Sequence, residues 1–243
     1  MGFHLVLLAI SLAAGGVAAV TGFGIGSLLT PVFAIRFGAK AAVAAVALPH
    51  LVGTAVRFAT CRQRIDRRVF IHFGILSAAG GLAGALLNSW ASSKGLSAVF
   101  GGLLIFAGLS GLTGLTQRMT FSRKIAWIAG CLSGLFGGLV GNQGGIRSAA
   151  LLAFDVSKLS LVATATAVAL VVDGARLPVY LATQWHAIAG ARLEIVVATA
   201  GVLIGTFAGV PLLRRSSEPA FRRCLSITVT ALGAYMLAQA LRG

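Results

Sequence analysis

Eight apolar segments, separated by short basic clusters, make up most of this chain. A transmembrane helix needs about 20 apolar residues. Six segments have about that length: 41–60, 69–88, 96–116, 159–182, 193–213 and 221–241. The other two, 3–35 and 125–154, are too long for one helix and too short for two spans with a turn. The pattern predicts an all-α polytopic membrane protein.

Charged side chains are scarce and mostly basic. They make up 10% of the residues, with 20 Lys and Arg against 5 Asp and Glu, whereas a soluble domain is roughly 25% charged. This composition excludes a soluble enzyme, a disordered chain and a disulfide-stapled secreted domain. A nucleic-acid partner is not expected, because its basic patch would need a polar domain to carry it. The expected partner is the lipid bilayer.

Each of the two long segments contains a glycine-rich polar break. The first break is Thr21-Gly22-Phe23-Gly24-Ile25-Gly26-Ser27, and the second is Gly141-Asn142-Gln143-Gly144-Gly145-Ile146-Arg147-Ser148. Glycine costs about 1 kcal/mol relative to alanine inside a helix, so both clusters predict unwinding at membrane depth. Backbone freed there must be buried in protein or line a wet cavity. Re-entrant hairpins and broken helices both satisfy this requirement.

The chain repeats itself at a spacing of about 120 residues. The sequence at 79–84 matches that at 200–205, each is followed by a Ser-Ser turn, and the two breaks align at the same offset. The sequence therefore predicts two units, 1–118 and 119–243, each consisting of one broken segment followed by three helices. Repeats of this kind are common in secondary transporters.

The distribution of basic residues predicts how the two units are oriented. If all eight segments cross fully, the two sides hold eight and nine basic residues, whereas the positive-inside rule expects an excess on one side. If both broken segments return to the side they entered from, the counts become twelve and five. The twelve are Arg62, Arg64, Arg67, Arg68, Arg118, Arg123, Lys124, Lys158, Arg214, Arg215, Arg222 and Arg223, and the five are Arg36, Lys40, Lys94, Arg192 and Arg242. We therefore expect two inverted repeats, with both termini outside the cytoplasm.

These features together resemble a known family. The tandem four-segment units, the glycine-rich break in each half and the run Ala163-Thr164-Ala165-Thr166-Ala167 are similar to those of the sulfite exporter TauE/SafE family of bacterial membrane permeases. The resemblance implies transport of sulfite, sulfoacetate or another organosulfur anion, commonly outward, across the bacterial inner membrane.

The breaks themselves point to an anion site. A half-helix that starts after a break has unpaired N–H groups and a positive dipole end, which attract anions. We expect such half-helices at 27–35 and 146–154, with a small anion bound between them. The candidate binding residues are Thr21, Gly24, Gly26, Ser27, His50, Asn142, Gln143, Gly144, Gly145, Arg147 and Thr166.

Arg147 is the leading candidate, because a charge within an apolar segment costs about 3 kcal/mol and a guanidinium can grip two oxygens of a sulfonate. The alternative is a structural or lipid-snorkelling arginine. Asn142 and Gln143 fit equally well as caps for loose backbone. Hydroxyls in membrane helices often bond to their own helix, and a lone histidine such as His50 is often a packing residue.

Asp173 and Arg176 lie three residues apart on one predicted helix. At this spacing they share a helix face and can form an ion pair. Intramembrane acids also relay protons, so a proton is one candidate coupling ion.

The sequence favours a secondary carrier that works by alternating access. A channel-like anion permease, or an uptake carrier for another small solute, is the alternative. An intramembrane enzyme is disfavoured, because the chain contains no GxSxG, HExxH or CxxC motif. No cofactor or metal site is predicted, and a homodimer is compatible with the sequence.

A reporter fused after Gly243 tests the predicted topology. A reporter that is active only outside the cytoplasm should be active, because the hairpin arrangement puts both termini on the side with fewer basic residues. Activity of a reporter that works only in the cytoplasm would contradict it.

Overall fold

The computed structural model describes residues 2–115, 123–141, 144–151, 154, 157–215 and 218–242. These residues are almost entirely helical, with no strand among them, so the all-α prediction is confirmed. The helices are α1 (Gly2–Thr21), α2 (Ile25–Cys61), α3 (Arg67–Trp90), α4 (Ser93–Thr113), α5 (Arg123–Val140), α6 (Gly144–Leu151), α7 (Lys158–Gly190), α8 (Arg192–Arg215) and α9 (Glu218–Arg242), with a 3-10 turn at Arg62–Arg64.

Five helices in the described ranges are long and apolar enough to cross a membrane. They are α1, α2 with its following turn, α3, α4 and α7 from Leu159. Even the 20 residues of α1 correspond to about 30 Å, the thickness of a bilayer's hydrocarbon core. Large apolar side chains such as Ile128, Val196 and Phe207 are more than half exposed, as expected for surfaces that face lipid. The prediction of a polytopic membrane protein is confirmed.

Glycines divide the first apolar segment and the helix that follows it into three helical stretches, which we call arms. Gly22 and Gly24, with φ of 82° and 127°, separate α1 from α2. Gly38 then interrupts α2 with φ 77° and ψ 159°, so that residues 25–37 form a short arm ahead of a long one at 39–61. The half-helix therefore extends beyond the predicted 27–35. The second half-helix is α6, which ends at Leu151 and begins two residues before the predicted 146–154.

Both broken segments return to the end of the bundle at which they began. Near the end of the short arm of α2, the Arg36 guanidinium lies 5.1 Å from the centre of the Phe3 ring at the start of α1. It also pairs with Glu194 at the start of α8, at 3.0 Å. In the second segment, the Phe154 ring packs edge-on against Trp127 of α5 with a centroid distance of 5.8 Å.

Extensive packing joins α1 to α8, α3 to α5 and α4 to α9, while α7 packs against both α3 and α2. Gly84 of α3 lies against the Leu135 carbonyl of α5, and Gly138 of α5 lies against the Gly81 carbonyl of α3. A Cβ at either glycine would collide with backbone. Small residues at such faces let membrane helices approach closely enough for backbone packing.

Contacts along each pair show the relative direction of its helices. In α4 and α9, Gly101 lies against Gly233 while Gly108 lies against Ser226 and Thr230, so these helices are antiparallel. In α2 and α7, His50 contacts Asp173 and Arg57 contacts Thr166, which is also antiparallel.

The other two pairs are parallel. His4 contacts Glu194 near the start of α1 and α8, and Leu12 contacts Gly205 further along both. Ser77 donates to the Gly130 carbonyl at 2.9 Å, and Asn88 to the Leu139 carbonyl at 2.7 Å, as α3 and α5 advance together.

Replacement of Gly84 by alanine tests the contact between α3 and α5. The added methyl group meets the Leu135 carbonyl, and overpacking of this kind costs about 1–3 kcal/mol. We expect a lower thermal midpoint for the detergent-solubilised protein. Gly102→Ala is the matched control, because no atom lies within 4 Å of a Cβ built at Gly102 and alanine favours a helix. Equal midpoints for the two variants would contradict the proposed contact.

Candidate functional site

The two breaks meet at one narrow cavity. It is small: the enclosed space holds about one water molecule, and the rest opens to the surroundings. Its walls come from both breaks and from α2, α6 and α7. The lining residues are Gly22, Phe23, Gly24, Gly26, Ser27, His50, Arg57, Gly141, Gly144, Arg147 and Ala169. Six of these are candidates from the sequence: Gly24, Gly26, Ser27, His50, Gly144 and Arg147.

Glycine lets the two breaks touch. Gly26 lies against the Gly141 carbonyl, and Gly144 lies against the side chain of Phe23; a Cβ at either glycine would collide. Gly24 and Gly141 also have positive φ, at 127° and 75°, a conformation that other residues adopt only with strain. Because the contact is made next to the first residues of α2 and α6, the N-terminal ends of both half-helices face the same cavity.

Arg147 is buried where α6 faces α7. Only 3% of its surface is exposed, and its Nη1 donates to the Ala165 carbonyl of α7 at 3.3 Å. It lies three residues after Gly144, one turn from the start of the half-helix, and it lines the cavity.

Arg57 supplies a second guanidinium, which the sequence reasoning missed. It is 6% exposed; its Nε donates to Thr166 Oγ1 and its Nη1 to the Ala18 carbonyl, both at 3.1 Å. Thr166 in turn donates to the Val162 carbonyl at 2.8 Å. Thr166 therefore orients the Arg57 side chain through this hydrogen bond, but it does not itself line the cavity. Arg57 could have been found in the same way as Arg147, as an arginine inside an apolar segment. It lies only five residues before the basic loop that starts at Arg62, so it resembles the edge of that loop.

Asp173 is the centre of a buried polar network behind the cavity. Its Oδ2 lies 2.6 Å from His50 Nδ1, and its Oδ1 accepts from Arg176 Nε at 3.0 Å and contacts Arg176 Nη2 at 2.8 Å. Arg176 Nη1 also donates to the Gly137 carbonyl of α5 at 2.6 Å, and Tyr180 donates to the Gly138 carbonyl. The ion pair expected from the spacing is therefore present, and it ties α7 to α2 and to the end of α5. Asp173 does not line the cavity, whereas His50 does.

Positive charge predominates around the cavity. Among the described residues around the cavity, three buried guanidiniums, those of Arg57, Arg147 and Arg176, accompany the buried carboxylate of Asp173; the buried Glu194 lies at the start of α8 and pairs with Arg36. Asp173 binds Arg176 directly. With His50 neutral, the group carries an excess of two positive charges, to which the helix N-termini add partial positive charge. Such a site attracts anions.

The remaining candidates lie elsewhere or are not described. Thr21 Oγ1 lies 2.9 Å from the Val17 carbonyl and 2.8 Å from the Phe23 carbonyl, so it closes the end of α1 and does not line the cavity. Gly145 lies in the first turn of α6. Asn142 and Gln143 fall outside the described residues.

A comparison of the sequence with protein-family models shows to which family the chain belongs. The model of the sulfite exporter TauE/SafE family matches residues 7–236, nearly the whole chain. The chain belongs to the TauE/SafE family. Membership implies a multi-pass membrane transporter of sulfite or related anions, and the positive cavity of this TauE/SafE protein is of the matching charge. No curated protein and no solved structure matches the chain.

The Asp173–Arg176 pair gives a test of the buried network. Arg176→Met leaves the Asp173 carboxylate without its guanidinium, and breaking a buried pair from one side costs about 3–5 kcal/mol. We expect a clearly lower thermal midpoint in detergent. The double variant Asp173→Leu with Arg176→Met should be more stable than Arg176→Met alone, because it leaves no unmatched buried charge. A double variant that loses the sum of both single effects would contradict the coupling.

Proposed function

We propose that this protein carries a small oxyanion, sulfite or an organosulfonate such as sulfoacetate, across the bacterial inner membrane by alternating access. The cavity between the two breaks is the proposed binding site. The observation that carries the proposal is that two buried arginines, Arg57 and Arg147, and two half-helix N-termini line this one cavity.

The chemistry of the lining suits such an anion. A guanidinium forms two parallel hydrogen bonds to oxygens of a carboxylate, phosphate or sulfonate-like group. Arg57 and Arg147 bring this chemistry from α2 and α6 respectively. The backbone N–H groups at the starts of α2 and α6 add further donors. A cation would meet an excess of positive charge in the same place.

The helix pairing supports the proposal that residues 1–118 and 119–243 are inverted repeats. In that division α4 corresponds to α9 and α2 to α7, and both pairs are antiparallel. Corresponding helices run in opposite directions when the axis that relates two units lies in the membrane plane. The other two pairs follow the same relation. In this division α1 corresponds to α5 and α8 to α3, so the packing of α1 on α8 is repeated as the packing of α5 on α3. Rocking of one unit against the other would open the cavity to either side in turn.

The distribution of basic residues supports the proposed orientation. Arg36, Lys40 and Lys94 lie near the end of the bundle where α1 begins, where Lys40 bonds to the Ser89 carbonyl. The basic loop of Arg62 to Arg68 follows the far end of α2. By the positive-inside rule that loop is cytoplasmic, and both termini are then extracytoplasmic.

Replacement of either cavity arginine tests the site. Arg57→Gln and Arg147→Gln should each lower the initial rate of sulfite counterflow into proteoliposomes by about tenfold or more, because a hydrogen bond to a charged group contributes about 1.5–3 kcal/mol. Arg62→Gln is the control, since Arg62 is exposed in the loop after α2. Thermal midpoints of all three variants separate loss of binding from loss of folding.

Two outcomes would contradict the proposal. Undiminished counterflow in folded Arg57→Gln and Arg147→Gln protein would remove the cavity from the transport path. Anion conductance that does not saturate and shows no counterflow would identify a channel.

A further inference from the structure

We propose that His50 is the proton-binding residue of this transporter, and that the anion and one proton bind cooperatively at the cavity. The inference rests on the proposed anion site and adds its coupling ion. It depends on the position of one imidazole ring, which touches the anion cavity on one side and the only buried carboxylate of the described cavity region on the other.

The two ring nitrogens of His50 have different surroundings. Nδ1 lies 2.6 Å from Asp173 Oδ2, with Thr54 Oγ1 farther away at 3.5 Å. In neutral histidine one nitrogen carries the proton and the other accepts. A carboxylate can only accept, so the proton of neutral His50 belongs on Nδ1, which donates to Asp173. Nε2 then carries the lone pair.

Nε2 is placed to take up a proton from the cavity. The Cδ2 edge of the ring, next to Nε2, faces Gly26 of the first break, 3.9 Å from where a Cβ of that glycine would lie. No described residue forms a hydrogen bond to Nε2. A proton that arrives from water in the cavity can bind to Nε2, and its binding converts His50 to an imidazolium whose Nδ1–H still bonds to Asp173.

The surrounding charges make this proton depend on the anion. Burial disfavours the imidazolium, and so does the positive charge of Arg57, Arg147 and Arg176, whereas the Asp173 carboxylate in direct contact with the ring favours it. Arg176 is already paired with Asp173. An anion between Arg57 and Arg147 offsets the charge of those two guanidiniums, so its binding favours protonation of His50. By thermodynamic linkage, protonation favours anion binding to the same extent.

Position also separates the roles of the two buried titratable groups. Asp173 is 1% exposed and is held by Arg176 from α7 and by His50 from α2. It fixes the tautomer and ring orientation of His50, as a carboxylate does for histidines in many sites. His50, not Asp173, is therefore the group that exchanges its proton with the cavity.

Calorimetric titration of the purified protein tests this inference. Sulfite and sulfoacetate are the probes, each titrated near neutral pH in buffers of different ionisation enthalpy, which gives the number of protons taken up per anion bound. Sulfite itself exchanges protons near neutral pH when one of its forms binds, so sulfoacetate, which does not titrate in this range, gives the deciding proton count. We expect uptake of up to about one proton per anion. We also expect an affinity that falls by up to about tenfold per pH unit as the pH rises through the titration of His50.

His50→Gln removes the proton site while keeping a polar side chain. We expect this variant to bind the anion with little proton uptake and with an affinity that no longer depends on pH. His186→Gln is the control, since His186 is exposed on α7 and its loss should leave proton uptake unchanged. If His50→Gln does not fold, the proton count and the pH dependence of the wild-type protein still decide the matter.

The outcomes separate this inference from the proposed function. Anion binding without proton uptake in the wild-type protein would overturn the coupling and leave the anion site standing. Unchanged proton uptake in His50→Gln would also overturn it. Absence of both binding and counterflow for sulfite and sulfoacetate would overturn the proposed function and this inference together.

Discussion

The contact between the two glycine breaks is the constraint on which the rest of the structure depends. Gly26 can lie against the Gly141 carbonyl only because it has no side chain, since a Cβ at Gly26 would collide with that carbonyl. That contact brings the starts of two half-helices together inside an apolar bundle, where free backbone N–H groups must find a partner or face a wet cavity. A larger residue at Gly26 would separate the half-helices and remove the cavity walls that both breaks share.

The meeting of the two breaks explains why charged side chains can be buried around them. Arg57 and Arg147 would be costly inside lipid, but here they are buried among backbone carbonyls and the hydroxyl of Thr166. Asp173 offsets part of the positive charge and links α2 to α7 through His50. The balance remains positive, so the cavity favours an anion, and the histidine at its wall responds to the charge that the anion brings.

Periodicity and composition predicted much of the fold, because each transmembrane helix must satisfy its own backbone and therefore leaves a long apolar run in the sequence. The breaks were found because glycine clusters are unusual in such runs. The bounds of the half-helices were less accurate, since Gly38 ends the first arm through a positive φ that only the packed structure reveals. Arg147 was recognised by its apolar neighbours, whereas Arg57 was missed because the basic loop follows it closely. The partnership of His50 with Asp173 joins residues 123 positions apart, and no local pattern reports such a contact.

The most direct test of the central claim is to locate the bound anion. Selenite has the charge and pyramidal shape of sulfite, and its selenium atom scatters X-rays anomalously, so a crystal of the protein with selenite would mark the site independently of any transport assay. The account predicts an anomalous peak between the starts of α2 and α6, within hydrogen-bond reach of Arg57 and Arg147 for its oxygens. A reproducible peak elsewhere in the bundle, with none in this cavity, would contradict it.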